Sequence, residues 1–342
     1  MREMLRPGEM FGDLRVVSEL GRGGMGAVYL VEDPETGGRY AAKILFPETE
    51  LKDHDTAVAR FIREAEVAMA VDHPNLVRVY DVGRDPETSL GYILMEYVPG
   101  GSLHDRLMER LVKNKGPFPV KEALAIVRVI AGALAAAEEH GIVHRDIKPD
   151  NILFDAEGVP RLADLGVAKR RGVQMTMTLT MTDMVVGTPA YMAPEQLLDS
   201  KHVDSRADIY SLGIVLWQLL AGERPNDDLE TGELMARAVR KERIPDIRLK
   251  RPKISRRVRE LLRRMTAPRL EQRFQHPSEI VGFLDCWAAR ERRRVWLLGG
   301  CVLTVVLAAY AVVTWMLLKS PGAASDPRPV ESEEFAIPES VD

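Results

Sequence analysis

From Leu14 onward the hydrophobic positions come in short β-branched and aromatic runs bounded by glycines and turn residues, which reads as strands. Residues 14–17 and 27–31 form two such runs, a turn at 33–38 leads to a third at 39–45, and two more cover 76–82 and 92–97. Only 56–71 breaks this pattern early in the chain, because Ala57, Phe61, Ala65, Ala68 and Met69 fall at helical spacing. After Ser102, a good N-cap, the chain turns helical. One helix is expected over 120–140, stopped by Gly141, another from Asp208 to Leu220, ended by Gly222, and a last one over 277–289. Two short strand-like pieces, 152–154 and 160–163, lie between them.

One further run has no polar face. From Trp296 to Leu318 there is no charged residue, and as a helix this stretch measures about 34 Å at about 1.5 Å per residue, enough for a hydrocarbon core of about 30 Å. Trp296 and Trp315 stand near its two ends, where amphipathic rings favour the interface. A membrane span is therefore expected at 296–318, preceded by a basic segment at 290–295 that holds Arg290, Arg292, Arg293 and Arg294. By the positive-inside rule the long N-terminal part lies in the cytoplasm and the acidic tail outside. The tail, 319–342, is rich in Pro, Ser and Glu and is expected to be disordered.

Composition adds bounds. With 342 residues, 46% apolar and 29% charged, the chain can bury a substantial core and gives no sign of wholesale disorder. A net charge of −4 gives no reason to expect nucleic acid as a partner. Two cysteines, Cys286 and Cys301, make no disulfide framework. Residues 1–20 carry scattered charges and no apolar core, so no signal peptide is expected. Between Arg237 and Arg264 there are 13 Lys or Arg against 3 Asp or Glu; a solvated surface is the plain reading, with anionic lipid or acidic partners as the other.

The chemistry concentrates in His144-Arg145-Asp146-Ile147-Lys148-Pro149-Asp150-Asn151. Asp146 can accept a proton from a hydroxyl, Lys148 can neutralise a phosphoryl oxygen, and Asn151 can hold a metal. A second signal is Gly21-Arg22-Gly23-Gly24-Met25-Gly26. Dinucleotide-binding folds share this glycine spacing but need a helix to start there. A β-branched run follows instead, so the glycines read as a hairpin tip whose backbone N–H groups can close over phosphate oxygens. Lys43 sits in an apolar strand, which is costly unless it meets a negative partner.

These motifs together resemble the protein kinase family, over about residues 14–289. The loop 144–151 resembles its H-R-D-x-x-x-x-N catalytic loop, the glycines its phosphate-covering loop, and Ala41-Ala42-Lys43 its V-A-I-K strand. Asp164-Leu165-Gly166 resembles D-F-G, and Ala193-Pro194-Glu195 matches A-P-E. The resemblance implies an α+β fold in two lobes, an antiparallel β lobe with one helix over about 14–95 and a mainly helical lobe over about 99–289. Its implied catalytic residues are Asp146, Lys148, Lys43 and Glu64, the last as the ion-pair partner of Lys43 in preference to Glu66. ATP would meet Leu20, Gly21, Gly23, Gly24, Gly26, Val28, Ala41, Lys43 and Leu153, with Met95 as gatekeeper and Glu96 to Val98 as the hinge facing adenine. Asn151 and Asp164 would hold magnesium, with manganese left open.

By position, 167–187 is the activation loop, although its Met/Thr alternation also fits an edge strand. Arg145 would be neutralised by phosphate on Thr176, Thr178, Thr180 or Thr182, the last two favoured by their distance from Gly187. Thr188, paired with Lys148, implies the serine/threonine class. Asp208 would hold the backbone of the catalytic loop, and Arg273 would pair with Glu195. The nearest proline before Arg273 is Pro268 where the family has one at the position of Leu270, which leaves the local turn open. With its C-terminal anchor, the chain resembles bacterial Hanks-type serine/threonine kinases. Expected partners are ATP, proteins with Ser or Thr, and membrane lipid, and a homodimer is left open. The competing class is a pseudokinase, a membrane scaffold that recruits partners without catalysis. It requires lost catalytic positions, and none is lost here.

Overall fold

The structure is a computed structural model that describes residues 5–23, 26–45, 54–165, 189–198 and 203–319. Gly24, Thr176, Thr178, Thr180, Thr182, Thr188 and the tail from Ser320 lie outside the described residues, as does the side chain of Glu64.

The compact unit Met1–Asp285 begins with an antiparallel sheet. Its strands are β1 (Met10–Phe11), β2 (Leu14–Gly23), β3 (Gly26–Glu32) and β4 (Arg39–Leu45), then, after helix α1 (His54–Met69), β5 (Val79–Arg84) and β6 (Gly91–Glu96). They pair in the order β1-β2-β3-β4-β6-β5. Successive strand residues face opposite ways, so the same strands build two cores. Ala27, Tyr29, Val31, Ala42 and Ile44 join Phe11 and Val16 on one face. Ala41, Ile93 and Met95 join Phe61 and Ala65 of α1 on the other, with Val28 and Leu45 packed against them. Lys43 pairs in register with Val28 and Ile93, so its side chain emerges on the second face. The expected strand at 76–82 starts later, at Val79. Leu76 instead bridges Leu162 in parallel, which ties the sheet lobe to the next one.

The helical lobe follows, with α2 (Leu103–Val112), α3 (Val120–Glu139), the hairpin β7 (Ile152–Phe154) and β8 (Pro160–Leu162), α4 (Pro194–Leu198), α5 (Arg206–Ala221), α6 (Thr231–Arg240) and α7 (Arg256–Met265). Ser102 caps α2 reciprocally: its Oγ accepts from Asp105 N, and its own N–H donates to the Asp105 carboxylate. Helix α5 is the central post, because every residue from Ala207 to Leu220 is buried; a helix buried on all sides has to be surrounded. Its close neighbour is α7: a Cβ on Gly213 would lie 2.6 Å from Thr266 Cγ2. Gly222 ends α5 in the left-handed region, φ 87°. Arg273, with its side chain fully buried, bonds both Glu195 oxygens at 2.6 and 2.8 Å and the carbonyls of Ala267 and Arg206. The turn before it is a short helical one, Leu270–Gln272.

Helix α8 (Pro277–Lys319) does not stop near 289 as expected. Ala288 to Arg294 contains no Gly or Pro and good helix formers, so nothing interrupts the hydrogen-bond ladder. Among the described residues no helix is long and apolar enough to cross a membrane. The expected span at 296–318 thus receives no support there. For much of that stretch the backbone is described and the side chains are not.

Candidate active site

Asp146 lies in a loop held from two sides. The buried Asp208 carboxylate of α5 accepts the N–H of His144 and the N–H of Arg145, both at 2.7 Å. Burial pushes the Asp208 carboxyl up, against the two amides and the neighbouring His144 and Arg145 that pull it down. Arg145 sits at φ 65°, a conformation costing on the order of 1–3 kcal/mol in a non-glycine residue; the grip on its amide sustains it. The buried His144 ring carries the support onward. Its Nδ1 accepts from Asp146 N at 3.3 Å, so Nε2 bears the proton and donates to Ala163 O at 2.8 Å.

The β7–β8 hairpin then brings the remaining groups together. Its ladder continues one step past Ile152–Leu162, as Ala163 N donates to Asn151 O at 2.9 Å. That step sets Asn151 beside the residue before Asp164. Asn151 donates from Nδ2 to Asp146 O at 2.7 Å and to Asp146 Oδ2 at 3.2 Å, which leaves its Oδ1 outside these bonds. Lys148 Nζ lies 3.2 Å from Asp146 Oδ2, and Lys43 Nζ lies 2.8 Å from Asp164 Oδ1. Asp164 is the second non-glycine residue of the site in the left-handed region, φ 59°. Burial raises its carboxyl, and the charge and hydrogen bond of Lys43 outweigh that, so it stays below the usual carboxylate range. Leu165 is buried, as an apolar plug after Asp164 requires.

The donor set suits a magnesium ion shared with phosphate oxygens. Such an ion takes one or two protein oxygens and fills its shell from phosphate and water. Asp164 and Asn151 supply a carboxylate and an amide oxygen. Among the described residues no group of three or more His, Cys, Asp and Glu converges, so a site supplied wholly by such side chains is not formed there.

Five apolar residues expected around adenine belong to one cluster: Ala41, Met95 and Val98 are buried in it, and Val28 and Leu153 pack against it. Leu20 does not join them and is 45% exposed within β2, at the register shift between Glu19 and Gly21. Val98 takes no part in the loop and turn backbone bonds among the described residues, whereas Glu96 N is taken by Arg78 O at 2.8 Å. One contact here was not foreseen. Arg161 of β8 reaches the hinge residue Glu96 at 3.1 Å and Asp155 at 3.2 Å, so the hinge is pinned to the helical lobe. The only signal in the sequence was a lone arginine in a three-residue strand. Glu64 lies on α1, and its expected pairing with Lys43 falls outside the described residues, as do the threonines of the activation loop.

The sequence model described as the protein kinase domain matches residues 14–281. The probable serine/threonine-protein kinase PknB of Lactococcus lactis is 33% identical over 85% of this chain and 44% of its own length. The serine/threonine-protein kinase PknB of Mycobacterium leprae is 41% identical over 60% of this chain and 32% of its own. The chain thus spans less than half the length of these relatives. Among solved structures, a cysteine-to-alanine mutant of the Mycobacterium tuberculosis PknI kinase domain superposes with a TM-score of 0.64 at 31% identity, covering 84% of this chain and all of that one.

The glycines of the β2–β3 hairpin separate what the fold needs from what a ligand needs. A Cβ on Gly26 would collide with the Ile44 carbonyl, whereas Gly21 and Gly23 have nothing within 4 Å. Gly26→Ala is expected to destabilise the protein by about 1–3 kcal/mol, as overpacking does. Gly21→Ala and Gly23→Ala should change stability by less than about 0.5 kcal/mol and weaken ATP binding about tenfold. Thermal unfolding and ATP titration of the three variants check this pattern.

Proposed function

The chain belongs to the protein kinase family and carries a serine/threonine protein kinase domain, and we propose that this domain transfers the γ-phosphoryl group of ATP to serine and threonine hydroxyls of proteins. The observation that carries this reading is one connected network. Asp146, Lys148 and Asn151 touch one another, and Asn151 is tied through Ala163 to Asp164, which meets Lys43. Bound magnesium would supply charge neutralisation at the phosphate oxygens, held by Asp164 and Asn151. Asp146 orients the acceptor hydroxyl and takes its proton as the oxygen bonds to the γ-phosphorus, while the bond to the β-phosphate oxygen breaks and ADP leaves. Lys148 offsets the negative charge of the transferring group, and Lys43 does so at the α- and β-phosphates. Adenine lies between Val28, Ala41 and Leu153, against Met95 and Val98, with the hinge backbone at 96–98 along its edge. A scaffold without catalysis would have no use for this complete set.

Regulation is assigned to the segment after Asp164. Arg145 precedes the catalytic aspartate, and a phosphate on Thr176, Thr178, Thr180 or Thr182 brings about −1.5 to −2 charges that can order the loop around it. The four-threonine alternation places these hydroxyls on one side if the loop is extended.

Membrane anchoring at 296–318 belongs to this reading as well. It rests on the uncharged run and on the unbroken backbone of α8 to Lys319. It is also supported by apolar side chains standing in solvent on that helix, with Leu307 57%, Tyr310 69% and Trp315 56% exposed. The kinase domain then lies in the cytoplasm, with ATP, and the tail outside.

Three experiments test the proposal. The purified full chain incubated with ATP should acquire phosphate on Thr176–Thr182 and phosphorylate a protein substrate. Lys43→Met and Asp164→Ala should each cut transfer by at least about 100-fold, the scale of one lost electrostatic contact in a transition state. Near-normal rates in either folded variant would remove the site. Protease added to cells with a permeabilised outer envelope should trim the tail alone, and digestion of the kinase domain would reverse the topology.

A further inference from the structure

The basic stretch at 237–264 encloses a feature that phosphoryl transfer leaves unused. Residues of this stretch, together with Trp217 of α5 and Thr266, line a cavity of about 390 Å³, within the size range of ligand sites. None of its lining residues belongs to the glycine hairpin, the hinge or the catalytic loop. Four arginines face it, Arg243, Arg256, Arg259 and Arg263, against two acids, Asp246 and Glu260, so the lining carries four minus two, or +2.

Both acids are already engaged. Asp246 caps the turn at Ile247–Leu249 and pairs with Arg248 at 3.0 Å, and Glu260 pairs with Arg263 at 2.7 Å. Arg243 is held by Gln272 Oε1 at 3.0 Å. Arg256 and Arg259 remain. Neither guanidinium has a hydrogen bond or ion pair among the described residues, and each acts on an acid only through its charge, Arg256 on Glu260 and Arg259 on Asp246. Two guanidiniums without a hydrogen-bonded partner, at a cavity whose lining carries a positive surplus, suit an anion there. A phosphate monoester carries about −1.5 to −2 at neutral pH and matches the surplus of two positive charges better than a single carboxylate does. The guanidinium fork also fits phosphate oxygens in pairs. The facing wall, Trp217, Ile244, Pro245 and Leu262, is mainly apolar and suits an apolar group attached beside the phosphate.

We propose that this cavity docks a phosphothreonine- or phosphoserine-bearing segment, flanked by an apolar residue, of a protein that has already been phosphorylated. The proposal rests on the kinase reading for the source of the phosphoprotein. Such a dock would hold a primed substrate on the domain while a second hydroxyl meets Asp146.

The test is a binding titration with the full-length Asp146→Asn chain in detergent, with excess ADP to occupy the nucleotide site. The probes are a fluorescent Leu-phosphothreonine-Leu peptide, its unphosphorylated form and inorganic phosphate. The phosphopeptide should bind at least about tenfold more tightly than the unphosphorylated form, and Arg256→Gln and Arg259→Gln should each remove about tenfold, the scale of one charge-assisted hydrogen bond. Unchanged ADP affinity in both variants shows that they remain folded. Binding that ignores the phosphate or survives both substitutions overturns the dock. Binding of inorganic phosphate without the peptide assigns the cavity to a small phosphorylated solute and overturns it too. Because docking needs no turnover, peptide binding by the Asp146→Asn chain beside an unsubstituted chain that transfers nothing would sink the kinase reading alone.

Discussion

The catalytic region depends on a single buried carboxylate. Asp208 leaves water at the first turn of α5, and the amides of His144 and Arg145 offset part of that cost. A hydrogen bond to a charged group contributes about 1.5–3 kcal/mol, the same scale as the strain of one left-handed residue. The consequence travels along the chain of contacts. The fixed His144 ring bonds the Ala163 carbonyl, Ala163 closes the ladder with Asn151, and Asp164 follows directly. The helix in turn can offer Asp208 because its other residues are apolar enough to bury it completely.

The two lobes meet through contacts of different kinds at the two ends of the cleft. Near the hinge, apolar packing of Ala41, Met95 and Val98 with Leu153 is reinforced by Arg161 on Glu96. At the chemical end, the Lys43–Asp164 ion pair joins the central strand of the sheet to the second residue past β8. The first end suits a flat apolar base, and the second suits charged phosphates. The division follows from strand alternation: Ala41 and Lys43 share one face of β4, two residues apart, and Ala42 and Ile44 serve the opposite core.

Much of this was legible in the sequence because the signals are local. β-Branched runs gave the strands of the sheet, and Ser102, Gly141 and Gly222 marked helix ends within a residue or two of where they fall. The roles expected for Asp208 and for the Arg273–Glu195 pair rested on resemblance, and the contacts are present. What was not legible depends on distant pairing. Nothing local says that Arg161 reaches Glu96, 65 positions away, or that Leu76 leaves its strand to bridge Leu162. The end of the last helix was placed too early because a run of arginines reads as a boundary although it is also good helix. The basic stretch read as a solvated surface, and only the tertiary fold gathers four of its arginines around one cavity.

The most direct test of this account is the steady-state kinetics of Asp208→Asn in the full chain. An amide at this position keeps the shape but can accept with one oxygen only, so one loop N–H loses its partner while the nucleotide site on the sheet is untouched. The account predicts that kcat for phosphoryl transfer falls at least about 100-fold, with KM for ATP changed less than about threefold. A folded Asp208→Asn protein that transfers phosphate at the parent rate would contradict it.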